Sequence, residues 1–183
     1  MKYDFNEQLS FSTNECQLET DAALLSAYFP NVASVKKTDA AQDKAGIDYI
    51  VTLDSGATIA VDVKTRSKMR ISLKDKNNPP LAIETWSQSW PHGEHKNVPG
   101  WTFDGRKKCD YIMYKFDKTD TDMVFVLPFQ QLRKASMNHY HEWMAKYKEH
   151  DQRQKAAGYI SKCLFVPASE VVNAVRETFA ATI

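Results

Sequence analysis

Two short runs joined by three residues constrain this chain more than anything else in it. The first is Gly46-Ile47-Asp48-Tyr49-Ile50-Val51-Thr52-Leu53. The joint is Asp54-Ser55-Gly56, and the second run is Ala57-Thr58-Ile59-Ala60-Val61-Asp62-Val63-Lys64-Thr65-Arg66. Both are rich in β-branched and aromatic residues and are bounded by turn formers, the pattern of a β-hairpin. A three-residue loop ending in glycine suits a type I turn followed by a left-handed residue. That closure pairs Leu53 with Ala57. Counting back along both arms sets Asp48 opposite Asp62.

Residues opposite one another on an antiparallel pair share a face, with Cβ atoms about 4.5–5.5 Å apart. One face then carries Ile47, Tyr49, Val51, Leu53, Ile59, Val61 and Val63, and reads as buried. The other carries Asp48, Asp62, Lys64 and Arg66. Like charges directly opposite destabilise a hairpin. A divalent cation between them would remove the repulsion, and Mg²⁺ prefers hard oxygen ligands. Lys64 lies one pleat beyond Asp62 on the same side, where an ammonium can orient a water or stabilise developing negative charge. The plainer reading is a solvated face with charges at random. Acid-any-lysine alone is weak, since Glu94-His95-Lys96 repeats it in a loop-like stretch. The combination of paired acids, a lysine on their face and an apolar reverse face carries the signal.

In this combination the chain resembles the PD-(D/E)XK nuclease superfamily. Asp48, within Gly46-Ile47-Asp48, matches its first acid, and Asp62-Val63-Lys64 matches its acid-any-lysine. Thirteen residues separate the two acids, within the superfamily's usual range. The proline that sometimes precedes the first acid is absent. The resemblance covers residues 46–66 and elsewhere rests on the order of elements; a small, resolvase-like phage or bacterial nuclease is most similar. It implies an α/β (α+β) fold with a restriction-endonuclease-like core, a mixed central sheet flanked by helices. It also implies metal-dependent hydrolysis of phosphodiester bonds, with DNA as the expected substrate. Asp48, Asp62 and the Val63 carbonyl would hold Mg²⁺ (or Mn²⁺), with Lys64 beside them. A further acid often comes from the first helix, which points to Glu19 or, a turn earlier, Glu15. Early acids equally suit a helix N-terminus through the macrodipole. Glu84, on the strand expected after the hairpin, is either an accessory site acid or part of a structural ion pair. A scaffold that binds nucleic acid without cutting it is the alternative.

The length, 183 residues, suits one domain over residues 1–183 with a real core. Hydrophobic content of 43% and charged content of 26% are ordinary for a globular protein. No apolar run is long enough to span a bilayer, and Met1–Phe5 lacks a signal peptide's apolar stretch. Cys16, Cys109 and Cys163 are odd in number and widely spaced, so they read as reduced thiols in a cytoplasmic protein. The net charge of +1 argues mildly against a nucleic-acid binder, but its distribution argues for one. Residues 64–76 hold Lys64, Arg66, Lys68, Arg70, Lys74 and Lys76 against Asp75, where a phosphate backbone would meet them. A solvated basic strand and loop is the competing reading. Cutting both strands of a duplex calls for paired sites, so a homodimer is a further expectation. No membrane partner is expected.

Residues 1–13 read as a loosely attached arm, and a helix is expected from Asn14 to Phe29, ended by Pro30-Asn31. Residues 36–46 read as a polar connection and Leu81–Trp86 as a third strand. The long stretch 87–108 reads as a functional loop. In it Trp101, with Lys107 and Lys108, would stack on bases and hold phosphates, or else pin the loop as a satellite cluster. His92, His95 and Cys109 sketch a zinc site without the usual spacing. Tyr111–Phe116 and Asp122–Leu127 read as strands and 129–149 as a helix. A polar link follows over 150–158, then a strand over Tyr159–Val166 and a helix opened by Pro167.

Overall fold

A computed structural model describes residues 15–67, 76–90, 93, 95–117, 123–154 and 158–180. In chain order the elements are α1 (Glu15–Tyr28), β1 (Val32–Lys37), α2 (Ala40–Lys44), β2 (Tyr49–Leu53), β3 (Thr58–Ser67), β4 (Pro80–Ser89) and β5 (Val98–Pro99). They continue with β6 (Tyr111–Asp117), β7 (Val124–Pro128), α3 (Phe129–Lys146), β8 (His150–Gln154), β9 (Tyr159–Pro167) and α4 (Ala168–Ala180).

The hairpin closes as its turn chemistry dictates. Leu53 N–H donates to the Ala57 carbonyl at 2.9 Å, Gly56 takes φ +82°, and Tyr49 pairs with Val61 and Val51 with Ile59. Around it forms a mixed sheet in the order β1-β2-β3-β6-β7. β3 and β6 run parallel, while the other neighbours are antiparallel.

Leu81–Trp86 does form a strand, but not in the central sheet. β4 belongs to a second, antiparallel sheet in the order β5-β4-β9-β8. Parallel neighbours need a long crossover, and here the crossover between β3 and β6 is where β4, β5 and the following loop are built. Three further elements lie outside the helices and strands expected from the sequence. β1 and α2 fill much of 32–46, with Asp39 Oδ1 capping α2 by accepting the N–H groups of Ala41 and Gln42 at 3.0 and 2.9 Å. β8 fills the link after α3 and pairs with β9.

Alternation splits the core in two. Tyr49, Val51, Val61, Met113 and Val126 turn to the reverse face of the mixed sheet and bury Leu25 of α1 and Phe29 just after it. Ile112, Tyr114 and Phe116 turn to the front, into a cluster with Leu81, Ile83, Leu164 and Val166 of the second sheet and the inner faces of α3 and α4. Ile47, expected with the reverse face, packs into this front cluster instead. It precedes the first paired residue of β2, and its N–H is drawn to the Gln42 carbonyl at 3.0 Å. The layers are also tied by polar bonds: Arg66 donates to the Pro80 carbonyl and the Tyr114 hydroxyl to that of Ala82. No described helix is long and apolar enough to cross a membrane.

One ion pair lies inside the reverse core. Asp21 of α1 accepts from Lys115 Nζ and from the Tyr49 hydroxyl, the latter at 3.0 Å, and both charged residues are buried. Removing one partner of such a pair strands a charge in the core, at a cost of about 3–5 kcal/mol. Asp21→Ala is therefore expected to lose stability of that order in urea denaturation, and Asp21→Leu with Lys115→Met to recover most of it.

Candidate active site

The acid pair is built by backbone bonds rather than by chance proximity. β2 stops at Tyr49, one residue short of Asp48. The chain nevertheless continues alongside β3. Asp48 N–H donates to the Val61 carbonyl at 2.9 Å, and Asp48 Oδ2 accepts the Val63 N–H at 2.7 Å. Its carboxylate thus stands in for the missing ladder partner and is pinned on both sides of Asp62. The C=O of a strand residue projects to the same side as its N–H, so the Val63 carbonyl also faces past the end of β2.

Asp62 is 2% exposed. Its Oδ1 accepts from Lys64 Nζ at 2.7 Å. Its Oδ2 is buried with no hydrogen-bond partner. A buried carboxylate oxygen without a donor is costly, and the neighbouring group able to supply a proton to Asp62 is the Asp48 carboxyl, which hydrogen-bonds to it. Asp48 shows the same stress. Burial first, and then repulsion from Asp62, push its carboxyl up from 3.8 to about 7, against the opposing pull of Lys64 and the Val63 N–H. For Lys64, burial works against the charge, but Asp62, Asp48 and Glu84 outweigh it and the pKa lies above the ordinary value. Lys64 is thus a held ammonium, suited to steadying negative charge rather than to removing a proton.

Glu84 comes to the same place from the second sheet. Ile83 and Thr85 are buried, and Glu84 alternates with them to face Lys64. Its Oε2 accepts the Trp101 N–H at 2.9 Å and the Ser87 hydroxyl at 2.8 Å. Gly100 makes this possible, because a Cβ there would fall inside the Glu84 carbonyl group. Trp101 lies in the front core at 9% exposure, packed against Tyr114 and Phe129. Lys64 Nζ stands 5.5 Å from its ring centroid, within cation–π range. Trp101 is thus a floor beneath the lysine, not a face offered to a base, and part of the 87–108 stretch is a wall of the site. Cys109, also buried, lies close enough to feel Asp62 and Lys64; burial first and then Asp62 push its thiol up to about 12.

Other expected residues fall elsewhere. Glu19 is exposed on α1, the helix that packs on the reverse of the sheet, so the structure does not bring it to the acid pair. Among the described side chains, the α1 acid aimed at the sheet is Asp21; the Glu15 side chain lies outside them. The place of Asp21 four residues before Leu25 on the helix's apolar row was the available signal. Arg66 shares the face of Asp62 and Lys64, but its guanidinium packs 4.3 Å from the Phe165 ring centroid and bonds to Pro80. Lys107 and Lys108 border the chain leading to Asp48: Lys107 Nζ donates to the Lys44 carbonyl at 3.2 Å and Lys108 N–H to that of Ala45 at 3.1 Å. Lys68, Arg70, Lys74, His92 and residues 1–13 lie outside the described residues. His95 packs edge-on to Trp90. Among the described residues, no three His, Cys, Asp or Glu side chains gather as a metal-holding group.

Comparison with known proteins finds no matching family model, curated protein or solved structure.

The folded chain keeps a proton on Asp48 that the unfolded chain releases near 3.8. Stability from this group is therefore full below about pH 4 and is lost as pH rises through about 7, by at most about 4 kcal/mol. Urea midpoints in EDTA are expected to fall between pH 4 and 8 in the natural chain. In Asp48→Asn, which cannot ionise, that fall is expected to flatten.

Proposed function

We propose that this chain is a metal-dependent nuclease hydrolysing phosphodiester bonds, with DNA as substrate, on a restriction-endonuclease-like core. The observation that carries the reading is the pair of carboxyls, Asp48 and Asp62, held by register and burial close enough to repel and to hydrogen-bond each other. That donor set is all hard oxygen, which fits Mg²⁺ or Mn²⁺ and a shell completed by water and substrate. Asp48 and Asp62, with the Val63 carbonyl, would hold the ion. When bound, it would supply charge neutralisation and a more acidic water.

The remaining work falls to the chain itself. Lys64, kept charged by its carboxylate neighbours, orients the attacking water and opposes the negative charge that grows on the phosphoryl oxygens. Asp62 holds the ammonium at 2.7 Å and Trp101 supports it from below. Glu84, after Asp62 and Asp48, also favours the charged lysine, and it secures the Trp101 backbone. A cytoplasmic setting belongs to this reading, since Cys109 and Cys163 are free and buried. So does pairing of two copies on a duplex. One observation favours a second reading, binding without cutting: Glu84 Oε2 is already engaged by Trp101 and Ser87.

Incubation with supercoiled, linear, single-stranded and branched DNA separates the two readings. Cleavage is expected with Mg²⁺ or Mn²⁺ and none with EDTA, and Asp62→Asn and Lys64→Ala are expected to lower it by at least 100-fold, on the order of 3 kcal/mol. Mg²⁺ is also expected to raise the thermal midpoint of the natural chain at pH 8, but not that of Asp62→Asn. Full activity in either variant overturns the assignment.

A further inference from the structure

The acid-bearing face of the mixed sheet is covered over only part of its width. From Lys64 onward it meets β4, Trp101 and Phe165. On the near side the register sets Lys36 opposite Ile50, Ser34 opposite Thr52, Ile50 opposite Ala60 and Thr52 opposite Thr58. Opposed residues share a face, and this is the face of Asp48 and Asp62, because Tyr49, Val51 and Val61 alternate to the buried reverse. All six of these residues keep solvent exposure, whereas Tyr49, Val51 and Val61 are buried. The result is a shelf of small, hydroxyl-rich side chains ending at the acid pair.

Lysines stand around that shelf. Lys36 opposes Ile50 and so lies diagonal to Asp48, about 7–8 Å away across the strands. Thr38 N–H donates to the Asp48 carbonyl at 2.9 Å and holds this end of β1 in place. On the other flank stand Lys44, Lys107 and Lys108. The Lys107 stem lies over Gly46, where a Cβ would come within 2.6 Å of Lys107 Cδ. The nearby acids are largely engaged. Asp39 caps α2, Asp104 pairs with Arg106 at 2.9 Å, and Asp110 Oδ2 accepts the Ala60 N–H at 2.8 Å; among the described residues Asp43 of α2 and Asp54 of the hairpin joint are the other acids nearby.

We infer that this shelf is where a nucleic-acid backbone lies as it runs to the acid pair. Ser34, Thr52 and Thr58 would bond to phosphate oxygens, and Lys36, Lys44, Lys107 and Lys108 would neutralise them. Hydroxyls and lysines are the side chains that make such contacts. The inference rests on the hydrolytic reading for the direction of the strand, and it adds a surface drawn from three separate stretches of chain.

The test is equilibrium binding of labelled single-stranded and duplex DNA to the Asp62→Asn protein in EDTA across a salt series. Lys36→Gln/Lys107→Gln/Lys108→Gln is expected to flatten the slope of log affinity against log salt by about 0.9 per lysine for duplex or about 0.7 for single strands. The form showing the loss identifies the occupant. Thr52→Glu, which places a carboxylate on the shelf, is expected to weaken binding of that form. Lys134→Gln/Lys148→Gln, on exposed parts of α3 and its end, is the control expected to bind unchanged. Circular dichroism melts confirm that each variant folds. Unchanged affinity and slope in both shelf variants overturns the inference. If the natural chain cleaves DNA and the shelf variants bind as before, the shelf falls and the hydrolytic reading stands. If cleavage is absent with every cation but the slope still flattens, the shelf stands and the hydrolytic reading falls.

Discussion

Two carboxyl groups held together inside a protein repel each other, and everything at this site answers that repulsion. The β2–β3 register brings Asp48 alongside Asp62, and the bonds from Asp48 to Val61 and Val63 leave it no freedom to move off. Asp48 answers by keeping its proton to about pH 7. Lys64 answers by folding its ammonium onto Asp62. The Asp48 proton in turn is shared with Asp62 by a side-chain hydrogen bond. The reverse face of the same strands is packed on α1, which holds the pair in register. The apolar alternation of the hairpin is thus the condition that allows its polar alternation to be strained.

The hairpin was legible because its determinants are local. Gly56, the three-residue joint and the alternation of both arms fix the register without help from the rest of the chain, and the pairing of Asp48 with Asp62 follows by counting. Glu84 was legible for a similar reason, since Ile83 and Thr85 show which way it must point. The elements that escaped notice lack such determinants. β1 offers only Val32 and Val35 as apolar positions on its buried side, and α2 is a five-residue helix recognisable mainly by its Asp39 cap. β8, His-Asp-Gln-Arg-Gln, carries no apolar residue at all. It is a strand because β9 lies beside it. The membership of β4 in a second sheet depends on a partner almost eighty residues away, and no local pattern records that.

The site residues divide along the same line. Asp48, Asp62 and Lys64 are set by register. Trp101 is set by tertiary packing; composition leaves a stacking ring and a loop-pinning cluster both open, and the fold makes it a buried support. Glu19 stands just before the apolar run, but the side of the sheet on which α1 packs is a global property, and among the described side chains Asp21 is the α1 acid turned to the sheet. Lys36, Lys44, Lys107 and Lys108 form no run in the sequence. Lys44, Lys107 and Lys108 come together because α2 and the loop before β6 close on Gly46, while Lys36 stands across from them on β1.

The order of the strands carries a consequence for how the molecule is made. β4, which brings Glu84 to Lys64, is bonded on one side to the two-residue β5 and on the other to β9. During synthesis from the N-terminus, the hairpin and α1 emerge early and have local partners, but β4 must wait for residues 159–167. The acids are therefore in place before the wall that encloses them. Until β9 is made, the paired carboxylates lack the β4 side of their surroundings, so Glu84 is among the last groups to reach them.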